Sequence, residues 1–326
     1  MSDVNTTSII TTEPSRAAII GAYYSLTLVI VGTLLNILTF IVLCRSTLRN
    51  TKTRPTLHYM RAMAIFDILM LYGWNIDHYL ATIYGFTFSK RAIPLCRFFS
   101  FLNYFTAQSS AWLRVFVSLD RYLSLSRLHR TWFGKSKNIL IIIACIMGIL
   151  VLLNFHFFLF VCYYRPNGTI NIASWLYAVY PLWDYVNLGV YNCAPFILMV
   201  TFNSGVIYHL IHLRHTSTIQ NSRIQHRSIS ITLVITTFLF LIMTIPATVG
   251  FAFFYNSNTT ILYFLDGLLY TYHILSFPLY MITFDEFRQQ VIAIITCKRN
   301  NQRIAPQTQT GVVPQTLNTA KSIINT

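Results

Sequence analysis

The chain alternates between long apolar runs and short polar interruptions. Seven stretches are predominantly apolar, at about 21–44, 57–80, 96–121, 138–162, 182–210, 229–254 and 261–283. Each is long enough for a helix to cross ~30 Å of hydrocarbon, which takes about 20 residues. The third and seventh are the least apolar. After the seventh, Phe284, Phe287, Val291, Ile294 and Ile295 recur at three- to four-residue spacing, opposite Asp285, Glu286, Arg288 and Gln289. That period predicts a short amphipathic helix over 284–297, lying in the membrane interface. Residues 1–20 are polar at their start and carry Asp3 and Glu13 without a signal-peptide pattern, so the first helix is expected to serve as its own insertion signal. Residues 298–326, rich in Thr, Gln and Asn, read as a disordered inner tail. The expected fold is an all-α membrane protein, with a seven-transmembrane helix bundle over 21–283.

Composition agrees with the pattern. Charged residues are 10% of the chain and apolar residues 55%, where soluble chains carry roughly 25% charge. Too little charge is present to clothe a water-facing surface of this size. With 12 Gly, 10 Pro and 6 Cys, the chain is neither collagen-like nor a disulfide-dense secreted scaffold.

The net charge of +15 marks topology rather than nucleic-acid binding, because no basic run of the kind that tracks phosphates occurs. Arg45, Arg49, Lys52, Arg54, Arg121, Arg127, Arg130, Lys135 and Lys137 follow the first and third stretches. Arg214, Arg223, Arg227, Arg288, Lys298, Arg299, Arg303 and Lys321 follow the fifth and seventh. The opposite side holds only Arg16, Lys90, Arg91, Arg97 and Arg165. The positive-inside rule therefore places the N-terminus outside and the C-terminus inside. Three glycosylation sequons, at Asn5, Asn167 and Asn258, all fall on the predicted outer side.

The third stretch carries a spaced signature. Cys96 and Asp120-Arg121-Tyr122 stand at its two ends, about 37 Å apart along a helix. In this the chain resembles the rhodopsin-like G-protein-coupled receptors, which have a Cys and Asp-Arg-Tyr at this separation in the third of seven helices. Asn36 and Asp67 are similar to that family's helix 1 asparagine and helix 2 aspartate. Pro195 and Pro246 are similar to its helix 5 and 6 prolines, with Phe240 at its aromatic switch position. Tyr280, seven residues before Phe287, is similar to its helix 7 tyrosine.

The resemblance implies an outer disulfide from Cys96. Cys162 and Cys193 are the possible partners, and Cys162, at the outer end of the fourth helix, is the better placed. Cys297 beside Lys298 is either a palmitoylation site or an unmodified thiol. The family's helix 6 Trp is Thr244 here, its helix 4 Trp is absent, and the proline of Ser276-Phe277-Pro278-Leu279-Tyr280 is displaced by one position. These departures touch activation machinery rather than fold.

Another departure has a direct physical consequence. Arg114 shares one face of the third helix with Asn103, Ala107, Ser110, Val117 and Arg121, about 10 Å from the inner end. A guanidinium at that depth is costly unless paired or hydrated. Asp67 lies at similar depth, so Arg114 is expected to pair with it, in place of the sodium ion that this aspartate binds in many relatives. The alternative is an Arg114 that snorkels or lines a wet cavity.

The residues also narrow the ligand. The position where amine receptors of this family carry an Asp is Asn103, and no Lys occurs between Lys137 and Lys298 to form a retinal Schiff base. What remains is a polar and aromatic outer half: Trp74, Asp77, His78, Asn103, Tyr104, Gln108, Trp175, Trp183, Asp184, Tyr270 and His273. Such a pocket suits a neuropeptide, with Asp77 or Asp184 binding a basic group. Ser110-Ala111-Trp112 and the run 120–126 resemble invertebrate FMRFamide-like peptide receptors. No catalytic arrangement and no cofactor motif occurs, and His209, His212 and His215 lack the carboxylate or Cys a metal site would add. The expectation is a plasma-membrane, multi-pass receptor that couples an extracellular ligand to a heterotrimeric G protein and contacts membrane lipids. A seven-helix protein that has lost signalling, or a transporter or channel, are the competing readings. A transporter would show several buried charges and usually a repeat, and no repeat is seen.

Overall fold

A computed structural model describes residues 14–45, 56–125, 135–174, 182–216, 221–254 and 259–296. The sequence expectations at Asn5, Trp175, Asn258 and Cys297, and for the tail 298–326, lie outside these residues. The protein is mostly helical. In chain order it forms α1 (Arg16–Cys44), α2 (Leu57–Tyr84), α3 (Ile93–Leu125), α4 (Ser136–Asn154), α5 (His156–Phe160), strands β1 (Val161–Tyr164) and β2 (Ile170–Ser174), and α6 (Asp184–Asn187). A π-helical stretch, Leu188–Cys193, leads into α7 (Ala194–Thr216), followed by α8 (Asn221–Phe254), α9 (Thr259–Tyr272), α10 (Ser276–Thr283) and α11 (Asp285–Ile295).

Four helical stretches are long and apolar enough to cross a membrane: Arg16–Cys44, Ser136–Phe160, Asp184–Ile211 and Val234–Phe254. Their outward positions are exposed and apolar, including Ile30, Leu34, Ile149, Leu152, Ile197, Phe238 and Ile242. The buried positions include polar and charged ones: Asn36, Asp67, Asn75, Gln108, Ser110, Arg114, Asn192 and His273. Polar residues inside and apolar ones outside is the arrangement a hydrocarbon solvent selects. α2 and α3 are just as long but carry Asp67, Asp77, Arg114, Asp120 and Arg121 on inward faces. α3 is central, packing against α2, α4, α5, the π stretch and α7, while α1 touches both α2 and α9.

Three of the predicted stretches are broken: the fourth parts at Phe155, between α4 and α5, and proline accounts for the other two. Pro278 has no N–H for the carbonyl of Ile274, so the seventh stretch tightens into a turn at 273–275 between α9 and α10. In the π stretch the Ala194 amide bonds the Gly189 carbonyl. The next amide would belong to Pro195, which has none, and the Val190 carbonyl instead accepts from Trp112 Nε1 at 3.1 Å.

The all-α expectation requires a correction. Val161 and Cys162, assigned above to the end of the fourth helix, belong to β1, which pairs antiparallel with β2 (Val161 with Ser174, Tyr163 with Asn171). Asn167 Oδ1 accepts from the Thr169 amide (3.1 Å) and hydroxyl (2.7 Å), and Gly168 adopts φ 79° in the turn. Asn-Gly between two β-branched and aromatic segments is a hairpin signal. It was legible in the sequence, where apolar periodicity alone had extended the helix. Cys162 occupies the bulge of β1 at φ 68° and is bonded to Cys96, with the two Cα atoms 6.2 Å apart.

Candidate functional site

The centre of the helix assembly holds a buried ion pair. Ser110 and Arg114 are one turn apart on α3, so their side chains share a face. Both reach Asp67 on α2, which is 0% exposed. Arg114 Nη2 lies 2.8 Å from Asp67 Oδ2 and 3.2 Å from Oδ1. The Ser110 hydroxyl donates to Oδ1 at 2.5 Å and itself accepts from Arg114 Nη1.

The proline-induced turn supplies the rest. His273, also 0% exposed, lies with Nδ1 2.7 Å from Asp67 Oδ1, and Ser276 donates to Oδ2 at 3.5 Å. A carboxylate only accepts, so His273 donates from Nδ1, and its Nε2 lies 3.3 Å from the Tyr191 hydroxyl. The His273 backbone carbonyl, freed by the helix break, accepts from Asn36 on α1 at 3.1 Å. The Arg114 guanidinium lies over the Tyr272 ring, 4.7 Å from its centroid. Phe240 of α8 closes the cluster, with ring centroids 5.7 Å from Tyr191 and 5.5 Å from Tyr272. One network thus ties α1, α2, α3, the π stretch, α8 and the α9–α10 turn, and every one of its charged groups is met by hydrogen-bonding partners. Sequence spacing pointed to Asp67 and Arg114. It placed His273 with the outer ligand candidates, whereas the structure brings it to the ion pair.

Below the pair, a small cavity of about 30 Å³ is lined by Met60, Met63, Arg114, Val117, Thr232, Thr236, Ser276, Tyr280 and Phe284. At the end of α3 beyond it, Asp120 Oδ2 accepts from Thr56 at the start of α2, at 2.5 Å. Arg121 is buried beside it. Tyr122 packs against Phe202 and His209, and against the bare backbone of Gly205, where a Cβ would come within 2.6 Å of its ring. Tyr280 meets Phe287 of α11 at a centroid distance of 5.6 Å. Pro246 is inside α8 on its exposed side.

The outer candidates separate into three groups. Trp74 stacks on His78 (4.4 Å) and runs parallel to Tyr270 (6.1 Å), whose hydroxyl donates to Asn103 at 2.9 Å. The Tyr104 hydroxyl donates to Asp184 at 3.0 Å, with Trp183 edge-on to the Tyr104 ring. Gln108 is a buried structural clamp, donating to Asn187 (3.0 Å) and accepting from Asn154 (2.7 Å). Asp77 is set apart from these, because its carboxylate accepts the Phe88 and Ser89 amides and so caps the turn after α2. The pattern of the sequence had not singled out Asp266, a further buried carboxylate on α9.

Residues 23–174 match the family model described as the serpentine type 7TM GPCR chemoreceptor Srw. The match supports a G-protein-coupled receptor. It runs from α1 to β2, so it includes Asp67, Arg114, Asp120-Arg121-Tyr122 and both disulfide cysteines. That family is one of receptors rather than enzymes, in keeping with a helical membrane protein. No curated protein matches the chain.

Proposed function

We propose that the chain is a rhodopsin-like receptor of the plasma membrane that binds an extracellular ligand and activates a heterotrimeric G protein. Its seven crossings would be α1, α2, α3, α4 with α5, α6 with α7, α8, and α9 with α10, with the N-terminus outside and α11 along the inner interface. α3 carries this reading: one helix holds the outer disulfide at Cys96, the buried Arg114 and the inner Asp120-Arg121-Tyr122. Ligand contacts at the outer ends would favour a state in which the inner ends of α7 and α8 separate, a population shift that requires tighter binding to that state. The Asp67 cluster lies between the two ends. Its carboxylate is occupied by Arg114, Ser110 and His273, so the guanidinium serves where a bound cation otherwise would.

A peptide is the ligand we favour, given the aromatic and acidic outer half and the resemblance to FMRFamide-like receptors. The chemoreceptor description of the matched family favours a second reading, an external chemical signal. G-protein activation in cells expressing the chain, without ligand, with an amidated-peptide library and with a small-molecule odorant panel, separates them. A response abolished by Arg121→Ala establishes the receptor and identifies the ligand class. Surface expression with silence throughout supports a seven-helix protein without signalling. An ion current or uptake indifferent to Arg121 overturns the reading in favour of a transporter or channel.

A further inference from the structure

α8 is soft at one point. Pro246 has no N–H for the Ile242 carbonyl, so the helix is held there by one backbone hydrogen bond fewer. Thr244 and Thr248 stand on either side of the proline, about one turn apart, and both are buried. Asn192 of the π stretch, 0% exposed, reaches both of them: its Oδ1 accepts from the Thr244 hydroxyl at 2.8 Å, and its Nδ2 donates to Thr248 at 2.5 Å. One planar amide on a neighbouring element thus ties together the two sides of the proline.

The threonines have acceptors of their own. The Thr244 hydroxyl lies 2.6 Å from the Phe240 carbonyl, and that of Thr248 lies 3.1 Å from the carbonyls of Thr244 and Ile245. A hydroxyl carries one proton, so Thr244 serves either Asn192 or its own helix at full strength. Donation to the carbonyl four residues back is a bond that bends helices. Opening the contact therefore strands no threonine; what holds it shut is the buried Asn192 amide, which would lose both partners. The element carrying Asn192 is itself anchored. The Val190 carbonyl accepts from Trp112 of α3, and the Tyr191 hydroxyl lies against His273. Before the proline, α8 is joined to α7 by Asn203, which donates to Thr237 at 2.7 Å and limits how far the helices can part.

We propose that Asn192 is a positioning residue, a clamp across the Pro246 hinge that sets the angle of α8 against the π stretch. Its release lets the part of α8 before Pro246 swing away from the end of α7. A change of bend at the proline alters the separation of Thr244 and Thr248, and a single amide cannot follow both, so the clamp resists bending in either sense. The conformational role stands on these contacts alone; its consequence for signalling rests on the proposed function.

The test is the distance between α7 and α8 in the purified full chain. Double electron–electron resonance reads it between spin labels on p-acetylphenylalanine replacing Tyr208 and Ile231, both exposed. Asn192→Leu keeps the size of the side chain and leaves both threonines their acceptors within α8. It should fold with little change in melting temperature and raise the longer-distance population about five-fold or more, the effect of losing two buried hydrogen bonds. Adding Thr244→Val and Thr248→Val to Asn192→Leu should shift the distribution no further, because the clamp is already open. An unchanged distribution in Asn192→Leu overturns the proposal, as does a further shift on adding the threonine changes. Should Asn192→Leu fail to fold, Thr248→Val alone, which removes one of the two bonds, must lengthen the distances; an unshifted distribution there overturns the proposal as well. Basal G-protein activation is read separately and should rise in Asn192→Leu. Longer distances without it would leave the clamp standing and count against the receptor reading alone.

Discussion

Removing Arg114 should be far more damaging than removing Arg114 and Asp67 together. Asp67 is fully buried, and its oxygens accept from Arg114, Ser110, His273 and Ser276. Arg114→Met leaves the Asp67 carboxylate without its cation, and Asp67→Asn leaves the guanidinium without its anion. Breaking a buried pair in this way costs about 3–5 kcal/mol. Replacing both members by neutral groups of similar size is often nearly neutral, so Asp67→Asn with Arg114→Met should recover most of that loss. For a domain of this size the single changes would lower the melting temperature by on the order of 5–10 °C. The assay is thermal unfolding of the purified protein in detergent, in sodium chloride and in an organic-cation chloride at equal ionic strength. Sodium should stabilise Arg114→Met selectively, because only there does the carboxylate lack an internal cation. The exchanged pair, Asp67→Arg with Arg114→Asp, should outperform either of its single changes. If the double neutral variant loses the sum of the two single losses, the pair is not coupled and the reasoning fails.

Three further outcomes follow from other parts of the fold. Gly205→Ala brings a Cβ within 2.6 Å of the Tyr122 ring, so the ring must move or α3 and α7 must part; a cost of about 1–3 kcal/mol is expected in thermal unfolding and, on the proposed function, a reduced response in a cell-based G-protein activation assay. Cys96→Ser and Cys162→Ser should each lower stability by about 2–5 kcal/mol, and the double change should cost no more than one; melting curves of the three variants check this. Asn167 is at an exposed turn with its Oδ1 held by Thr169, so an outer location predicts a glycosidase-sensitive mass that Asn167→Gln removes when the other sequons are absent, and an unchanged mass would refute that orientation.

Much of the architecture was readable from the order of the residues. Length and apolarity marked the helical stretches because hydrocarbon demands about 20 apolar residues per crossing, and the amphipathic period of 284–297 marked α11 as Asp285–Ile295. Spacing along one helix put Ser110 and Arg114 on a single face, since that depends only on the 3.6-residue repeat. Uniform apolar runs, by contrast, could not show where helices break. The turn at 273–275 follows from Pro278 but gains its meaning from what it meets: it frees the His273 carbonyl for Asn36 and brings the ring to Asp67, more than 200 positions away. Side chains that read alike in sequence were likewise sorted by packing. Asp77 faces two backbone amides, Asp67 faces an arginine, and Asp184 accepts from the Tyr104 hydroxyl. The sequence determined roughly where the helical stretches lie and which helix faces are polar, because periodicity and solvent act locally. Only the tertiary structure decided which polar faces meet, because a buried charge takes whichever partner the neighbouring helices bring to it.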